Sequence, residues 1–356
     1  MAAGQFRAMY SETINSKFGT YEILDSYGFL NDLDLENVFI LCDKNVSIPT
    51  ELSVLNKIIR VDGSENLKTL DSANNLILEF SNLGINRNSH LIAIGGGSVQ
   101  DISTFVCSIY MRGIKWIYVP STLMAMADSC IGGKSSINVG EIKNLVGNFY
   151  PPIKIILDFK IIESLSPVAI ACGLFEGVKI CQAKSIDTAM QFMKLSDTWI
   201  NKGEKEALSE LVKLSLMTKK WFIEIDEFDT AERKLLNYGH SFGHALESAT
   251  NMKIPHGIAI GIGMLIAMEY SGNRNFKLTE YVVKILNWAK CDYSSVEFDA
   301  DIMKKSLRKD KKNSKTIQRL ILPNQNQTIQ ISEISLSEAE LSKQARITES
   351  ILRSIN

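Results

Sequence analysis

The pattern of hydrophobic and polar positions divides the chain into two parts. From about Tyr21, short β-branched runs alternate with longer amphipathic stretches, and from about Ser166 the pattern becomes mainly helical. Alternating strands and helices are typical of a parallel sheet that is covered on both faces. The pattern therefore predicts an α/β domain over residues 1–160 and a mainly α-helical domain over residues 161–356.

Short apolar runs and helical periodicity locate the elements of both parts. In the first part, the runs that predict strands are residues 38–42, 58–61, 90–94, 116–119 and 155–158. Apolar residues at helical spacing predict helices over residues 67–83 and 102–111. In the second part, residues 317–322 and 328–331 predict a strand pair, for which Pro323-Asn324 offers the turn.

A glycine-rich turn follows the strand at residues 90–94. The stretch IAIGGGSVQD runs from a strand through Gly95, Gly96, Gly97 and Ser98 into a helix. Glycines let a backbone approach a ligand, and the free N–H groups at a helix start attract phosphate. The spacing differs from G-x-G-x-x-G, so a tight turn without a ligand is the alternative. Asp43, after an earlier strand, suits a ribose hydroxyl or is a solvated turn residue.

Residues 119–149 are rich in small and polar groups although apolar runs flank them. Asp128, Lys134, Lys143 and Asn144 alternate there with glycines. This arrangement is expected of a loop that wraps around a polar ligand. Lysine serves as a phosphate partner or as a proton donor with a tunable pKa, whereas inert surface lysines are the alternative.

Three of the four histidines lie within residues 240–256. His240 and His244 are four positions apart, so on a helix they project from one face. His256 follows a turn-like segment, residues 251–255, which allows a second helix to return beside the first. Neutral imidazoles that converge from two helices suit a divalent metal such as zinc. The alternative is a helix face whose rings only form hydrogen bonds.

Glu176 is the acidic candidate for the same site. It lies among apolar residues, and Lys179 follows three positions later on the same helix face. A carboxylate in apolar surroundings requires a partner, which is either that lysine or a metal. A set of Glu176, His240 and His256 leaves one coordination position open for substrate, which is typical of a catalytic metal.

The composition is that of an ordinary soluble globular protein, with 45% hydrophobic and 22% charged residues. A formal net charge of -1 gives no electrostatic case for nucleic acid or an anionic membrane surface. The six cysteines lack C-x-x-C spacing, which indicates reduced thiols. The N-terminal segment does not resemble a secretory signal, and no apolar stretch reaches the ~18 to 20 residues of a bilayer span. We therefore expect a cytoplasmic protein.

Seven motifs, taken in this order and spacing, resemble 3-dehydroquinate synthase and, more broadly, the sugar-phosphate cyclases. They are GGGSVQD, YMRG, VPSTLMAMADSCIGGKSSIN, GEIKN, LFEGVK, LLNYGHSFGHALE and PHG. The resemblance covers roughly residues 36–325. It implies a lyase with an N-terminal NAD-binding domain and a helical C-terminal domain that binds a divalent metal, zinc or cobalt. It also implies a homodimer.

The resemblance further implies a reaction in the shikimate pathway of aromatic amino acid biosynthesis. The substrate would be 3-deoxy-D-arabino-heptulosonate 7-phosphate and the products 3-dehydroquinate and phosphate. In this family NAD transiently oxidises a ring hydroxyl, which acidifies the neighbouring C–H and permits phosphate elimination. The hydride then returns, and an intramolecular aldol step closes the carbocycle.

Roles are carried over from the resemblance position by position. The metal ligands would be Glu176, His240 and His256, and His244 would lie near the substrate phosphate instead of binding metal. The residues that match phosphate contacts are Lys134, Asn144, Arg112 from the neighbouring subunit, and Lys311 or Lys312. Those near the substrate carboxylate are Lys219 and Arg233, and those at its hydroxyls are Asn237, Asp128 and Lys179. The NAD shell matches Asp43, Glu65, Lys68, Gly95, Gly96, Gly97, Ser98, Asp101, Ser121, Thr122, Lys134 and Lys143.

Three departures from the family pattern keep other functions open. Ile258 stands after His256-Gly257, where an acidic residue would support the metal ligand. Gln100 replaces a small residue, and residues 224–229 also differ. One alternative is therefore a cyclase for another heptulose or hexose phosphate, and another is an NAD- and metal-dependent polyol dehydrogenase. A purely binding role is disfavoured because ligands and cofactor contacts occur together.

Overall fold

The computed structural model describes residues 10–140, 142–310 and 313–355. The chain forms two compact units. The first runs to Ser164 and includes Ile223–Glu227, and the second comprises Leu165–Phe222 and the chain from Phe228 onward. None of the described helices is long and apolar enough to cross a membrane.

The first unit is built on a seven-stranded sheet with the order β1-β2-β9-β6-β5-β3-β4. Neighbouring strands are parallel except for the antiparallel pair β1–β2. A separate antiparallel pair is formed by β7 and β8. The elements are β1 (Ser11–Ile14), β2 (Tyr21–Leu24), β3 (Val38–Asp43), β4 (Ile58–Val61), α1 (Leu70–Asn82), β5 (His90–Gly95), α2 (Gly97–Ile109), β6 (Lys115–Pro120), β7 (Ile137–Val139), β8 (Ile142–Val146) and β9 (Lys154–Ile156).

The central strands β3, β5 and β6 are apolar in their middle positions because both faces of the sheet are covered. In register, Ile40 of β3 lies opposite Ile92 of β5, which lies opposite Ile117 of β6. These three side chains are fully buried in one cluster on the same face. The carboxyl ends of β3 and β5 then place Asp43 and Gly95 at one edge of the sheet, where ligands bind in open α/β folds.

The second unit is mainly helical, with one antiparallel strand pair. Its elements are α3 (Pro167–Lys184), α4 (Ile186–Lys202), α5 (Lys205–Ile225, whose end from Ile223 onward belongs to the first unit), α6 (His240–Ala249), α7 (His256–Ser271), α8 (Phe276–Trp288), α9 (Ala300–Lys309), β10 (Ile317–Pro323), β11 (Ile329–Ser335) and α10 (Glu338–Ser354). Helix α3 begins as its sequence dictates, because Ser166 accepts a hydrogen bond from the Ala169 N–H and Pro167 occupies the first helical position.

The fold class predicted from the sequence is confirmed, and the differences lie in short elements. Strand 58–61 has the predicted bounds, whereas helix α2 begins at Gly97 instead of residue 102. The structure adds strands β1 and β2, for which the sequence pattern gives no prediction, and the polar stretch expected to be a loop contains β7 and β8. Every residue of β8 is exposed, so it lacks the apolar alternation by which a strand is recognised.

Candidate active site

Helices α3, α6 and α7 bring Glu176 and three histidines together. The Nε2 atom of His256 lies 3.4 Å from Oε1 of Glu176, and the Nε2 atom of His240 lies 3.8 Å from the same oxygen. His240, His244 and His256 each offer a nitrogen within 4.8 Å of the others. Glu176 is almost fully buried, whereas His244 is exposed.

His240 is the first residue of α6 and His256 is the first residue of α7, and the local backbone geometry explains why. Gly239 precedes α6 with φ +77°, a conformation that glycine adopts without strain. At the start of α7, a Cβ on Gly257 would lie 2.5 Å from Cα of Cys172, so only glycine allows α7 to approach α3 this closely. This close approach of Gly257 to the Cys172 backbone holds the first turn of α7 against α3, the helix that carries Glu176.

Hydrogen bonds on the far side of each imidazole orient the ring. Nδ1 of His240 lies 3.3 Å from the carbonyl oxygen of Tyr238, and Nδ1 of His256 lies 3.2 Å from Oε2 of Glu247. A carbonyl oxygen can only accept, so Nδ1 of His240 carries the proton of this hydrogen bond. Both rings therefore present Nε2 to the same oxygen of Glu176.

The two carboxylate oxygens of Glu176 have different partners: one contacts a lysine and the other faces the histidines. Lys179, itself buried, donates to Oε2, while Oε1 faces the two Nε2 atoms. Burial acts to raise the pKa of Glu176, but the Lys179 charge and the hydrogen bonds from His256 and Lys179 outweigh it and hold that pKa well below its usual range. The internal ion pair expected from the sequence is thus present, and it leaves one carboxylate oxygen for a metal.

His256 has the opposite shift. Burial lowers its pKa, but hydrogen bonds to Glu176 and Glu247, with the charges of both carboxylates, raise it to about 10. The metal-free cluster therefore holds a proton on this ring at neutral pH. One carboxylate oxygen and imidazole nitrogens at this spacing fit a zinc-type ion, which would displace that proton.

A second polar cluster, in the first unit, surrounds Lys68. Its buried Nζ lies 2.9 Å from Oδ2 of Asp101, 2.8 Å from Oδ1 of Asn144 and 3.4 Å from Oε1 of Glu65. Asp101 also accepts hydrogen bonds from the N–H and hydroxyl of Ser136. Burial raises the pKa of Asp101, and Lys68 partly opposes that rise. We call Glu65, Lys68, Asp101, Ser136 and Asn144 the Lys68 cluster.

The glycine turn lies beside this cluster in sequence and leads into α2. Gly95 ends β5, and Gly97 begins α2. A Cβ on Gly97 would meet no atom within 4 Å, whereas a Cβ on Gly96 would lie 3.2 Å from the side chain of Thr122. There is therefore room beside Gly97 at the start of α2, where the first N–H groups of a helix can bind phosphate.

Family models match both halves of the chain. The model described as 3-dehydroquinate synthase N-terminal matches residues 58–172, and the model described as 3-dehydroquinate synthase C-terminal matches residues 173–313. A 3-dehydroquinate synthase of Dictyoglomus turgidum is 35% identical over 295 residues, which are 82% of this chain and 81% of that protein. The chain belongs to the 3-dehydroquinate synthase family. The resemblance inferred from the motifs is thus confirmed, and with it the expectation of a lyase-type cyclase.

Solved structures support the same fold. A 2-deoxy-scyllo-inosose synthase complexed with carbaglucose-6-phosphate, NAD+ and Co2+ has a TM-score of 0.78 at 22% identity and covers 95% of this chain and 99% of its own. The 2-epi-5-epi-valiolone synthase of Streptomyces hygroscopicus, with NAD+ and Zn2+ bound, has a TM-score of 0.80 at 19% identity. It covers 94% of this chain and 98% of its own.

Several substrate residues expected in this family lie in the second unit near the histidines in sequence. Lys219 and Arg233 are both buried. The side chain of Asn237 donates to the carbonyl of Lys234. The Ser241 hydroxyl of α6 donates to Oδ2 of Asp310 at 2.8 Å, which holds the end of α9 against α6. Lys311 and Lys312 follow directly but lie outside the described residues.

The remaining family residues lie in the first unit, on turns and on the β7–β8 pair. Asp128 belongs to a π-helical turn, Ala125–Ser129, whose Ala125 N–H donates to Thr122. Ser121 is buried and donates its N–H to the Gly95 carbonyl. Lys134 lies 5.9 Å from the ring centre of Phe149. Two residues are exposed: Arg112, with φ +68°, and Lys143 on β8.

The structure also brings in residues that the sequence reasoning did not single out. Glu247 supports His256, the Tyr238 carbonyl supports His240, and Cys172 packs closely against Gly257 of α7. Glu247 had a usable signal, because it lies seven positions after His240 and therefore on the same helix face. The Tyr238 contact is local but uses a backbone carbonyl, and the Cys172 contact is tertiary, so neither has a pattern in the sequence.

Proposed function

We propose that this chain converts 3-deoxy-D-arabino-heptulosonate 7-phosphate to 3-dehydroquinate and phosphate, using NAD and a divalent metal, with zinc as the native ion. The observation that carries the proposal is the convergence of two Nε2 atoms, from His240 and His256, on Oε1 of Glu176 in a member of this family. A bound metal supplies a Lewis acid for two neighbouring substrate oxygens, and NAD supplies a reversible hydride acceptor.

The metal ligands in this proposal are Glu176, His240 and His256. Their hydrogen-bonding partners support the choice, because Nδ1 of both histidines is already engaged and Lys179 occupies the second oxygen of Glu176. A set of three protein ligands leaves a position for substrate. His244 is exposed, which suits a role at the substrate phosphate.

Two buried cations argue for a substrate that carries a carboxylate. Lys219 and Arg233 are both less than a tenth exposed. Charge-assisted hydrogen bonds from two such groups suit a carboxylate and would serve a neutral sugar poorly. We assign them to the substrate carboxylate. For its hydroxyls we propose Asp128, Lys179 and Asn237, and for its phosphate Lys134, Asn144, His244, Lys311 and the Arg112 of a neighbouring subunit.

The proposed NAD site lies at the edge of the sheet where the carboxyl ends of the parallel strands meet. The open first turn of α2 suits the NAD pyrophosphate, and Asp43 at the end of β3 suits a ribose hydroxyl. The further NAD residues that we propose are Glu65, Lys68, Gly95, Gly96, Gly97, Ser98, Asp101, Ser121, Thr122, Lys134 and Lys143. We also propose an NAD domain over residues 1–160, a metal domain over residues 161–356, a cytoplasmic location and a homodimer.

A second candidate is a cyclase that acts on another heptulose or hexose phosphate. Ile258 and Gln100, which depart from the family pattern, motivate it. Ile258 is fully buried, so it offers no polar group next to His256-Gly257. A polyol dehydrogenase stays a third possibility, and it predicts net NADH formation without phosphate release.

Phosphate release by the purified full chain separates the three candidates. The assay supplies 3-deoxy-D-arabino-heptulosonate 7-phosphate, NAD and zinc, with sedoheptulose 7-phosphate in parallel, and NADH absorbance is followed in both. We expect phosphate from the first substrate, no net NADH, and no release by a His240→Ala control. Release from the second substrate alone would favour the other cyclases. Steady NADH formation without phosphate would favour the dehydrogenase.

A further inference from the structure

The sequence suggested that His256 lacks support, because Ile258 occupies the position where an acid would assist the ligand. The structure shows the support coming from another helix. Oε2 of Glu247, on α6, lies 3.2 Å from Nδ1 of His256. Glu247 is 8% exposed, whereas the His256 side chain is 37% exposed, so the carboxylate approaches the ring from its buried side.

The placement of Glu247 gives little benefit to its own helix. It lies in the last turn of α6, which ends at Ala249, and a negative charge there opposes the helix dipole. Within residues 10–140, 142–310 and 313–355, His256 is the sole hydrogen-bonding or ionic partner of this carboxylate. A nearly buried acid with one partner points to a role at that partner.

We propose that Glu247 is a positioning residue that holds Nδ1 of His256 and thereby aims Nε2 at the metal position beside Glu176. The inference rests on the metal site of the proposed function. It adds to that site the residue that fixes the orientation of the ring. The imidazole has two nitrogens, and the partner on Nδ1 decides that Nε2 is the one that faces Glu176. A carboxylate in this place also raises the basicity of the ligating imidazole.

Zinc affinity of the metal-stripped full chain tests the inference directly. Competition with a chromophoric chelator gives the dissociation constant for the natural chain, Glu247→Gln and Glu247→Ala. We expect binding to weaken by about 10- to 100-fold in both variants, the range for loss of a group that supports a metal ligand. Glu79→Gln, an exposed acid near the end of α1, is the matched control and should bind as the natural chain does.

Two further measurements separate positioning from a merely structural role. The zinc-induced rise in melting temperature should shrink in Glu247→Gln, whereas a structural role would lower the metal-free and zinc-bound melting temperatures equally. The visible spectrum of the Co2+ form should also change, because the spectrum reports ligand geometry. If Glu247→Ala does not fold, Glu247→Gln, which keeps the size of the side chain, still gives the result.

The outcomes distinguish this inference from the proposed function. If the natural chain binds one zinc ion and His240→Ala abolishes binding, but both Glu247 variants bind within about twofold of the natural chain, Glu247 is not a positioning residue. If the natural chain itself binds no zinc, the proposed metal site is wrong and this inference is overturned with it.

Discussion

Nε2 of His256 lies 3.4 Å from Oε1 of Glu176, although the two residues are 80 positions apart and lie on different helices. The same oxygen lies 3.8 Å from Nε2 of His240. The Lys179 charge and the hydrogen bonds from His256 and Lys179 keep the buried carboxylate of Glu176 ionised, so an anionic oxygen lies between the two imidazoles. A preformed charge of this kind attracts a cation without requiring the helices to rearrange.

The first prediction concerns that charge. Glu176→Gln preserves the size of the side chain but removes the anion, so zinc affinity should fall by more than the about 10- to 100-fold expected for loss of a supporting group. Phosphate release should fall with it. The measurements are the zinc dissociation constant and the phosphate assay. Unchanged zinc affinity in a folded Glu176→Gln protein would exclude Glu176 as a ligand, and Glu79→Gln again serves as the control.

The second prediction concerns protons. With its pKa raised to about 10, His256 is protonated in the metal-free protein at pH 7, so zinc binding must release about one proton. Zinc affinity should therefore rise by about tenfold per pH unit from pH 7 toward pH 10. Calorimetry in two buffers of different ionisation enthalpy measures the proton release. Binding that releases no proton at pH 7 would contradict the raised pKa.

The same shift makes the stability of the metal-free protein depend on pH. The pKa of His256 is higher in the folded chain than the usual value of about 6.5 in an unfolded one. The charged ring therefore stabilises the fold fully below about pH 6.5. That contribution is lost as the pH rises toward 10, and urea unfolding of the metal-free chain should show the decline.

The sequence predicted the parts of the fold and site that depend on local patterns. Helical spacing placed His240 and His244 on one face, and apolar runs located the central strands. It could not predict that Glu247 supports His256, because that contact depends on how α6 packs against α7. Strand β8 was missed for a related reason, since it is exposed and its pairing with β7 leaves no hydrophobic signature.

The fourth prediction concerns Gln100, one of the departures from the family pattern. Gln100 is buried on α2, and its amide both donates to the carbonyl and accepts from the hydroxyl of Ser129, each at 2.6 Å. Gln100→Ala removes both hydrogen bonds and should lower the free energy of unfolding by about 1 to 3 kcal/mol. Gln100→Gly should cost about 1 kcal/mol more, because glycine weakens a helix interior.

Urea unfolding of the two Gln100 variants and of Ser129→Ala measures these differences. If the two side chains act as one unit, the double variant Gln100→Ala with Ser129→Ala should lose less stability than the sum of the single variants. Strict additivity would show that Gln100 stabilises α2 independently of the turn that carries Asp128.

The last prediction concerns the Lys68 cluster. Lys68→Met keeps a long side chain but leaves the largely buried carboxylate of Asp101 without the cation that lies 2.9 Å away. Removing one partner of a buried ion pair costs about 3 to 5 kcal/mol. The matched control is Lys44→Met. Lys44 and Asp62 form an ion pair in which both side chains are more than half exposed. The control should leave the unfolding curve unchanged.

The pH dependence of Lys68→Met gives a sharper test than its stability alone. Burial already raises the pKa of Asp101, and removal of Lys68 takes away the group that opposes this rise most strongly. Because the folded pKa then lies further above the unfolded one, the variant is stabilised as Asp101 takes up a proton and destabilised as the pH rises. Its deficit in unfolding free energy should therefore be larger at pH 8 than at pH 5, and Lys68→Met with Asp101→Asn should remove the difference. A deficit independent of pH would mean that Lys68 acts through packing and not through its charge.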